Sequence, residues 1–225
     1  MEKFDKIVRK ILITYCIFIF CLFNISLTEN KIKPQLEKWR KYEKNAYNYI
    51  WNNYNVEQNK RIEFNKYMKD QFNVIDGILI NKIYKYSKKY NMNPKLVANF
   101  LYIESRFRQY AKSHCDARGI SQLMLPTAKI LNQKLKLVDK ITIRNIYNID
   151  INLELGIYYL SELKEEFDGD IINMVIAYNA GRYYTSKYIT RIPDETKDYI
   201  LLLLNRFKDI NNLDFFDKNT KGFLD

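Results

Sequence analysis

Glycine and proline are scarce in this chain, six and four among 225 residues. These residues punctuate most tight turns, so their scarcity leaves few sharp reversals and favours long helices. Periodicity agrees. Lys31 to Tyr54 sets Leu36, Trp39, Ala46 and Ile50 among charges, and Gln58 to Tyr90 continues helically with Ile75, Ile78, Leu79, Ile83 and Tyr86 as its expected buried side. Further on, Ile120 to Asn132 is amphipathic, Asp150 is expected to cap a helix running to about Phe167, and Gly169 ends it. Asp170 caps the next helix, whose Ile171, Met174, Val175 and Tyr178 lead to Gly181 as a stop. Ile192-Pro193-Asp194 opens a last helix with Tyr199, Leu202, Leu203 and Phe207 turned inward. No alternating pattern of convincing length argues for strands, although Lys136 to Ile143 suits a short extended stretch. The expected class is all-α. With 47% apolar and 15% aromatic residues, disorder is excluded as a description of the whole chain.

One carboxylate breaks the pattern. Asn93-Pro94 starts a helix, since Asn caps free backbone N–H groups and Pro is tolerated in the first turn. At roughly 100° per residue, Leu96, Val97, Phe100, Leu101 and Ile103 form one apolar stripe, and Glu104 projects from the middle of it. A carboxyl held partly out of water has its charged form disfavoured and its pKa raised, as a general acid working near neutral pH requires. The plainer reading is an ion pair with Arg106, Arg108 or Arg118 at the edge of the core.

Downstream stand Arg118-Gly119-Ile120-Ser121-Gln122-Leu123-Met124-Leu125-Pro126 and, later, Ala177-Tyr178-Asn179-Ala180-Gly181. Together with Glu104-Ser105, the helix Asn152 to Leu160, and Glu195-Thr196 with Tyr199, these ordered blocks resemble the catalytic domain of the soluble lytic transglycosylases, lysozyme-like enzymes that cleave bacterial peptidoglycan. The likeness runs from about Asn91 to Ile210. Two departures stand out: Ser121 replaces the family's usual Met, which is expected to change one wall of the cleft, and Leu125 displaces Pro126 by one residue.

The resemblance implies a lysozyme-like helical domain and a reaction. Ordinary glycosidases need two carboxylates, whereas the matched blocks supply only Glu104 at the reacting position; Asp116 is read as a turn residue or an arginine partner. In the family one acid suffices. Glutamate protonates the leaving oxygen of the MurNAc-β-1,4-GlcNAc bond, then takes a proton from the muramic 6-hydroxyl, which closes a 1,6-anhydro ring without water. By the same likeness Ser113 and Gln122 hydrogen-bond substrate, Met124 lines the cleft, Tyr178 and Asn179 form its floor with the phenol in reach of the acid, Glu195 and Tyr199 form the far wall, and Ser105 helps hold the acid. Each has a plain structural alternative, from turn cap to core residue. No metal or organic cofactor is called for. A water-using muramidase and an inactive peptidoglycan-binding scaffold of a wall-spanning assembly remain as alternatives.

The N-terminus adds a location. Lys3, Lys6, Arg9 and Lys10 precede the apolar run Ile11 to Phe23, the pattern of a secretory signal or an uncleaved signal-anchor. Cys16 and Cys21 follow bulky residues and read as apolar positions in that run, not as lipid attachment sites. Export to the periplasmic side of the cytoplasmic membrane follows as an expectation, anchored or released. Beyond this run only Cys115 remains, so an internal disulfide is excluded there; with the lone His114 it offers too few ligands for a metal. The formal charge of +11 comes from scattered Lys, so nucleic acid is not expected as a partner. The expected organisation is an export segment at 1–29, a helical extension at 30–90, the catalytic domain at 91–210 and a tail at 211–225. Expected partners are peptidoglycan glycan strands, the inner membrane through the N-terminus, and a flagellar or secretion-system partner for the extension.

Overall fold

The computed structural model describes residues 29–182, Thr185 and residues 193–208, with side chains within the helices except at 29–36, 194, 204, 205, 207 and 208. The expected export segment up to residue 28, with Cys16 and Cys21, and the tail at 211–225 lie outside the described residues. Seven helices and one 3-10 turn are described: α1 (Glu29–Phe72), α2 (Gly77–Lys89), α3 (Pro94–Ser105), α4 (Leu125–Leu135), the turn Asn145–Tyr147, α5 (Ile149–Glu166), α6 (Ile171–Asn179) and α7 (Asp194–Lys208). Among the described residues the architecture is all-α, and no helix is long and apolar enough to cross a membrane. The chain divides into two units, Met1–Gln58 and Asn59–Asp225, and α1 contributes residues to both.

In the first unit the α1 residues are exposed from 37 to 49 and from 51 to 56. Tyr47 stacks on Trp51 at 6.3 Å between ring centroids, and Trp51 on Tyr54 at 6.1 Å. These are i, i+4 and i, i+3 neighbours on one helix face.

The second unit is built round α5. That helix packs against α2, α4, α6 and the 3-10 turn, while α3 lies against α2 and α7. Side-chain caps start the helices where unpaired N–H groups would otherwise remain. Asp76 accepts from Ile78 and Leu79 N–H, Asn93 from Lys95 and Leu96, and Asp170 from Ile172 and Asn173. Ile83, Val97, Leu101, Leu153, Ile157 and Ile176 are among the fully buried core residues, joined by Phe64 and Met68 from the end of α1. Polar pairs fix α2 on α5: Lys82 Nζ and Tyr86 Oη donate to Asp150 Oδ1 at 2.6 and 2.8 Å, and Tyr90 Oη to Glu154 at 3.0 Å with Lys89 on the same carboxylate.

Several boundaries differ from the sequence reading. Asn148, not Asp150, caps α5, accepting from Asp150 N at 3.0 Å and Ile151 N at 3.2 Å, which leaves Asp150 in the first turn and free to take Lys82 and Tyr86. The helix expected from Ile120 begins at Leu125, because residues 119–123 turn back through a pair of backbone bonds between Arg118 and Leu123, each 3.0 Å. Ile75 and Ile78 are 79% and 67% exposed where burial was expected, since Ile75 precedes α2 and Ile78 lies off its inward stripe of Leu79, Ile83 and Tyr86. On α7 Leu202 is exposed, Tyr199 and Leu203 are buried, and the Phe207 side chain is outside the described set. Lys136 to Ile143 forms bends and a turn, not a strand.

Candidate active site

Glu104 lies in the last turn of α3, which ends at Ser105 as Arg106 and Phe107 swing into the left-handed region at φ 52° and 59°. Neither is glycine, so the sharp exit has a conformational cost that the packing must offset. The Glu104 carboxyl is half-buried and accepts a 2.7 Å hydrogen bond from Tyr199 Oη on α7. Burial pushes its pKa up from 4.5 to about 8, while the Tyr199 hydrogen bond pulls the other way. The ion pair allowed by the sequence does not form. Arg118 Nη2 instead holds both oxygens of Asp116 at 2.6 and 2.7 Å, and Arg108 Nε donates to the Ser105 carbonyl at 3.0 Å. Asp116 is thus an arginine partner, and Arg118 and Lys112 hold its carboxyl below the usual range.

Two phenols border the acid. Burial first, and the charge of Glu104 next, push Tyr178 and Tyr199 well above the ordinary tyrosine value, so both stay protonated and act as hydrogen-bond donors. Phe100, one turn before Glu104, packs edge-on against both rings at 4.7 and 5.7 Å. Tyr178 does not bond the acid as expected. Its hydroxyl donates 2.7 Å to the Ser121 carbonyl, the acceptor that the turn at residues 119–122 presents to it, and Tyr199 takes the place beside Glu104.

That turn is held from beneath. Asn152, 1% exposed on α5, accepts from Ser121 N at 2.8 Å and donates to the carbonyls of Arg118 and Ile146 at 3.1 and 3.0 Å. The Arg118 carbonyl also accepts from Leu123 N at 3.0 Å, so Asn152 adds a second bond there and supplies partners to the Ser121 N–H and the Ile146 carbonyl. Gly119, at φ 78°, passes so close that a Cβ there would meet Asn152 Nδ2 at 2.3 Å. A Cβ on Gly156 would meet the Ser121 side chain at 2.3 Å. Ser121 is itself fully buried with its Oγ donating to the Asn152 carbonyl at 3.2 Å, so the expected change in a cleft wall is not seen; the small side chain fits against Gly156 instead.

The other expected residues divide. Ser105 is 2% exposed, its hydroxyl committed to the carbonyls of Leu101 and Ile120 at 3.2 and 2.8 Å, so it ties the end of α3 to the turn and offers no surface to a substrate. Ser113 Oγ accepts from Ala117 N at 3.0 Å within its own loop. Gln122, at φ 44°, donates through Nε2 to Gly119 O at 2.8 Å and Ala111 O at 3.3 Å, bracing the turn. Met124 is 41% exposed, which makes it accessible apolar surface and not core. Asn179 is exposed and accepts 2.6 Å from Thr196 Oγ1, while Glu195 is exposed at the start of α7. His114 and Cys115 are both exposed, and among the described residues no cluster of His, Cys, Asp and Glu could hold a metal.

Sequence reasoning missed Asn152 and Thr196 as supports. No clear signal marked Asn152: it stands between Asp150 and Glu154 in a stretch where polar and apolar residues alternate, so its burial depends on what packs on α5.

A lysozyme-like helical cradle round one half-buried glutamate is the class that fold and geometry define. Residues 81–201, more than half of the chain, match the model of the "Transglycosylase SLT domain" family, and the chain belongs to that family. Among curated proteins it is 28% identical over 130 residues to membrane-bound lytic murein transglycosylase C of Mannheimia succiniciproducens, covering 54% of this chain and 35% of that protein. It is 32% identical over 105 residues to the protein of the same name from Actinobacillus pleuropneumoniae, covering 43% and 29%. The match thus spans about a third of these relatives' length. Among solved structures, the lytic transglycosylase Slt of Pseudomonas aeruginosa, an inactive mutant, superposes with TM-score 0.54 at 23% identity over 61% of this chain and 24% of that one. The 70 kDa soluble lytic transglycosylase of Escherichia coli gives 0.51 at 20% identity over 55% and 22%. Both likenesses show the fold.

Proposed function

We propose that the chain is a lytic transglycosylase that cleaves the MurNAc-β-1,4-GlcNAc bond of peptidoglycan without water and leaves 1,6-anhydro-MurNAc ends. The observation that carries this reading is the state of Glu104: a carboxyl with a pKa near 8, beside a phenol donor. Burial and the Tyr199 hydrogen bond are the influences on its proton, and a second carboxylate is not among them, whereas a two-carboxylate glycosidase works through a pair. An acid that is neutral at pH 7 can protonate the leaving glycosidic oxygen. Once ionised, it can accept the proton of the muramic 6-hydroxyl as that oxygen closes on the anomeric carbon. Tyr199 supports both steps, donating to Oε1 and steadying the anion between them.

Gln122, Met124, Asn179 and Glu195 are proposed to meet the glycan strand, Met124 by apolar contact and the others by hydrogen bonds. Ser113 is proposed only as an edge residue of that surface. The basic and apolar start of the sequence, and the word membrane-bound in the names of the relatives, support an exported protein held at the periplasmic face of a membrane.

Mass spectrometry of sacculi digested with the wild type and with Glu104→Gln tests the reading. Anhydro ends from the wild type and none from the variant are expected. Reducing ends would make the protein a hydrolytic muramidase, and an inactive wild type would make it a wall-binding scaffold.

A further inference from the structure

One stretch of α1 in the first unit has a composition unlike the rest of that helix. From 45 to 56 the sequence is Asn-Ala-Tyr-Asn-Tyr-Ile-Trp-Asn-Asn-Tyr-Asn-Val, uncharged and, apart from Ala46, made of residues in the middle or lower part of the helix-propensity order. The stretch is the interior of the 44-residue α1, whose later residues Phe64 and Met68 are buried, so what sets it apart is its exposed aromatic side chains. The sides differ. Tyr47, Ile50, Trp51 and Tyr54 share one side, and Asn45, Asn48, Asn52 and Asn55 repeat along the other at helical spacing, with Tyr49 and Val56 at that side's edge. Tyr47, Trp51 and Tyr54 are 63%, 51% and 46% exposed, their rings stacked along the helix. Just before them Lys38, Arg40, Lys41 and Lys44 are exposed against Glu37 and Glu43.

We infer that this part of α1 lies on an anionic phospholipid surface, with its aromatic rings at headgroup depth and its basic turn on the lipid phosphates. Tyr and Trp prefer that depth because each ring has an apolar body and a polar edge, and an amphipathic helix with a basic flank binds anionic lipid through both terms. A second copy of the chain fits less well. The seam a coiled coil would use, at positions 40, 43, 47, 50, 54 and 57, carries Arg40, Glu43 and Glu57 where apolar residues are required. The inference rests on reading the N-terminal basic and apolar run as membrane-directing, which ties the helix to a bilayer through the 23 residues between Phe23 and Tyr47.

The two tryptophans of the chain, Trp39 and Trp51, both lie in this helix and report on it directly. Full-length protein is mixed with phosphatidylethanolamine–phosphatidylglycerol vesicles carrying bromine either near the headgroup or deep in the acyl chain. Trp39→Phe and Trp51→Phe variants leave one reporter each. Expected are a shift of emission to shorter wavelength and at least twofold stronger quenching by the shallow bromines, largely lost when Lys38, Arg40, Lys41 and Lys44 are all changed to Gln. A chain that floats with vesicles while its tryptophans stay unquenched would overturn the inference. So would an emission shift without bromine quenching, which would mean that protein or glycan covers the face. A chain that does not float at all would remove both the inference and the membrane reading on which it rests, and would leave the sacculus assay untouched.

Discussion

Tyr199 Oη and Glu104 Oε1 stand 2.7 Å apart across 95 residues of sequence, a hydrogen bond from α7 to the acid of α3. The bond favours the carboxylate, so its loss should raise the apparent pKa of Glu104 further above 8. Tyr199→Phe is expected to move the alkaline limb of the pH–rate profile upward and to lower kcat by about 10–100-fold, the worth of a hydrogen bond to a charged group. An unchanged alkaline limb would show that the phenol does not touch the working acid.

The wild-type profile has a defined sign. With a pKa of about 8, Glu104 is protonated at neutral pH, and activity should fall as pH rises through that value because the acid form is lost. A rate that keeps climbing beyond pH 9 would contradict the assignment.

Stability follows the same linkage. Between 4.5 and about 8 the folded chain keeps a proton that the unfolded chain releases, so this group's contribution declines as pH rises across that window and is level on either side. Glu104→Gln removes the burial of a charge. Its Tm should exceed the wild type's at pH 9 by several degrees and match it near pH 4, as read by calorimetry at both values.

Asp116 is committed to Arg118 and Lys112 and does not act on Glu104. Asp116→Asn should therefore keep sacculus cleavage within several-fold of wild type. A loss as deep as that of Glu104→Gln would mean a second working carboxylate and would end the single-acid mechanism.

Packing under the turn is also testable. Gly156→Ala would drive a Cβ into Ser121 at 2.3 Å, an overpacking that costs about 1–3 kcal/mol and displaces the carbonyl that Tyr178 uses. Ser121→Gly opens that space, so the double variant should regain stability lost by Gly156→Ala. Asn152→Ala leaves up to two buried backbone groups unpaired, since the Arg118 carbonyl keeps Leu123 N–H, and should cost about 3 kcal/mol, roughly 6–12 °C in Tm for a chain of this size. Equal melting of single and double variants would disprove the contact.

Much of this arrangement was legible in the sequence because local rules and tertiary packing agree there. Asn93-Pro94 announces α3 by capping chemistry alone, and Glu104 is conspicuous as an acid in an apolar stripe. Asp170 before α6 follows the same logic. What was not legible depends on neighbours distant in the chain. Asp150 has a capping residue's identity, but Asn148 lies two residues earlier and Lys82 and Tyr86 claim the carboxylate from another helix. Residues 120–124 have a helical pattern of apolar side chains, yet the Arg118–Leu123 pair and Asn152 hold them in a turn. Which phenol would reach Glu104 is set by how α6 and α7 pack on α3, and that packing put Tyr199 there and gave Tyr178 to Ser121.

The acid occupies the C-terminal end of its helix, within two residues of the Arg106 cap. Aligned peptide units there present partial negative charge, which opposes an anion on a nearby side chain. Backbone electrostatics thus reinforces burial in retaining the proton, and this share of the effect belongs to α3 itself. Widening the cleft to admit water would weaken one source of Glu104's basicity and leave the other in place.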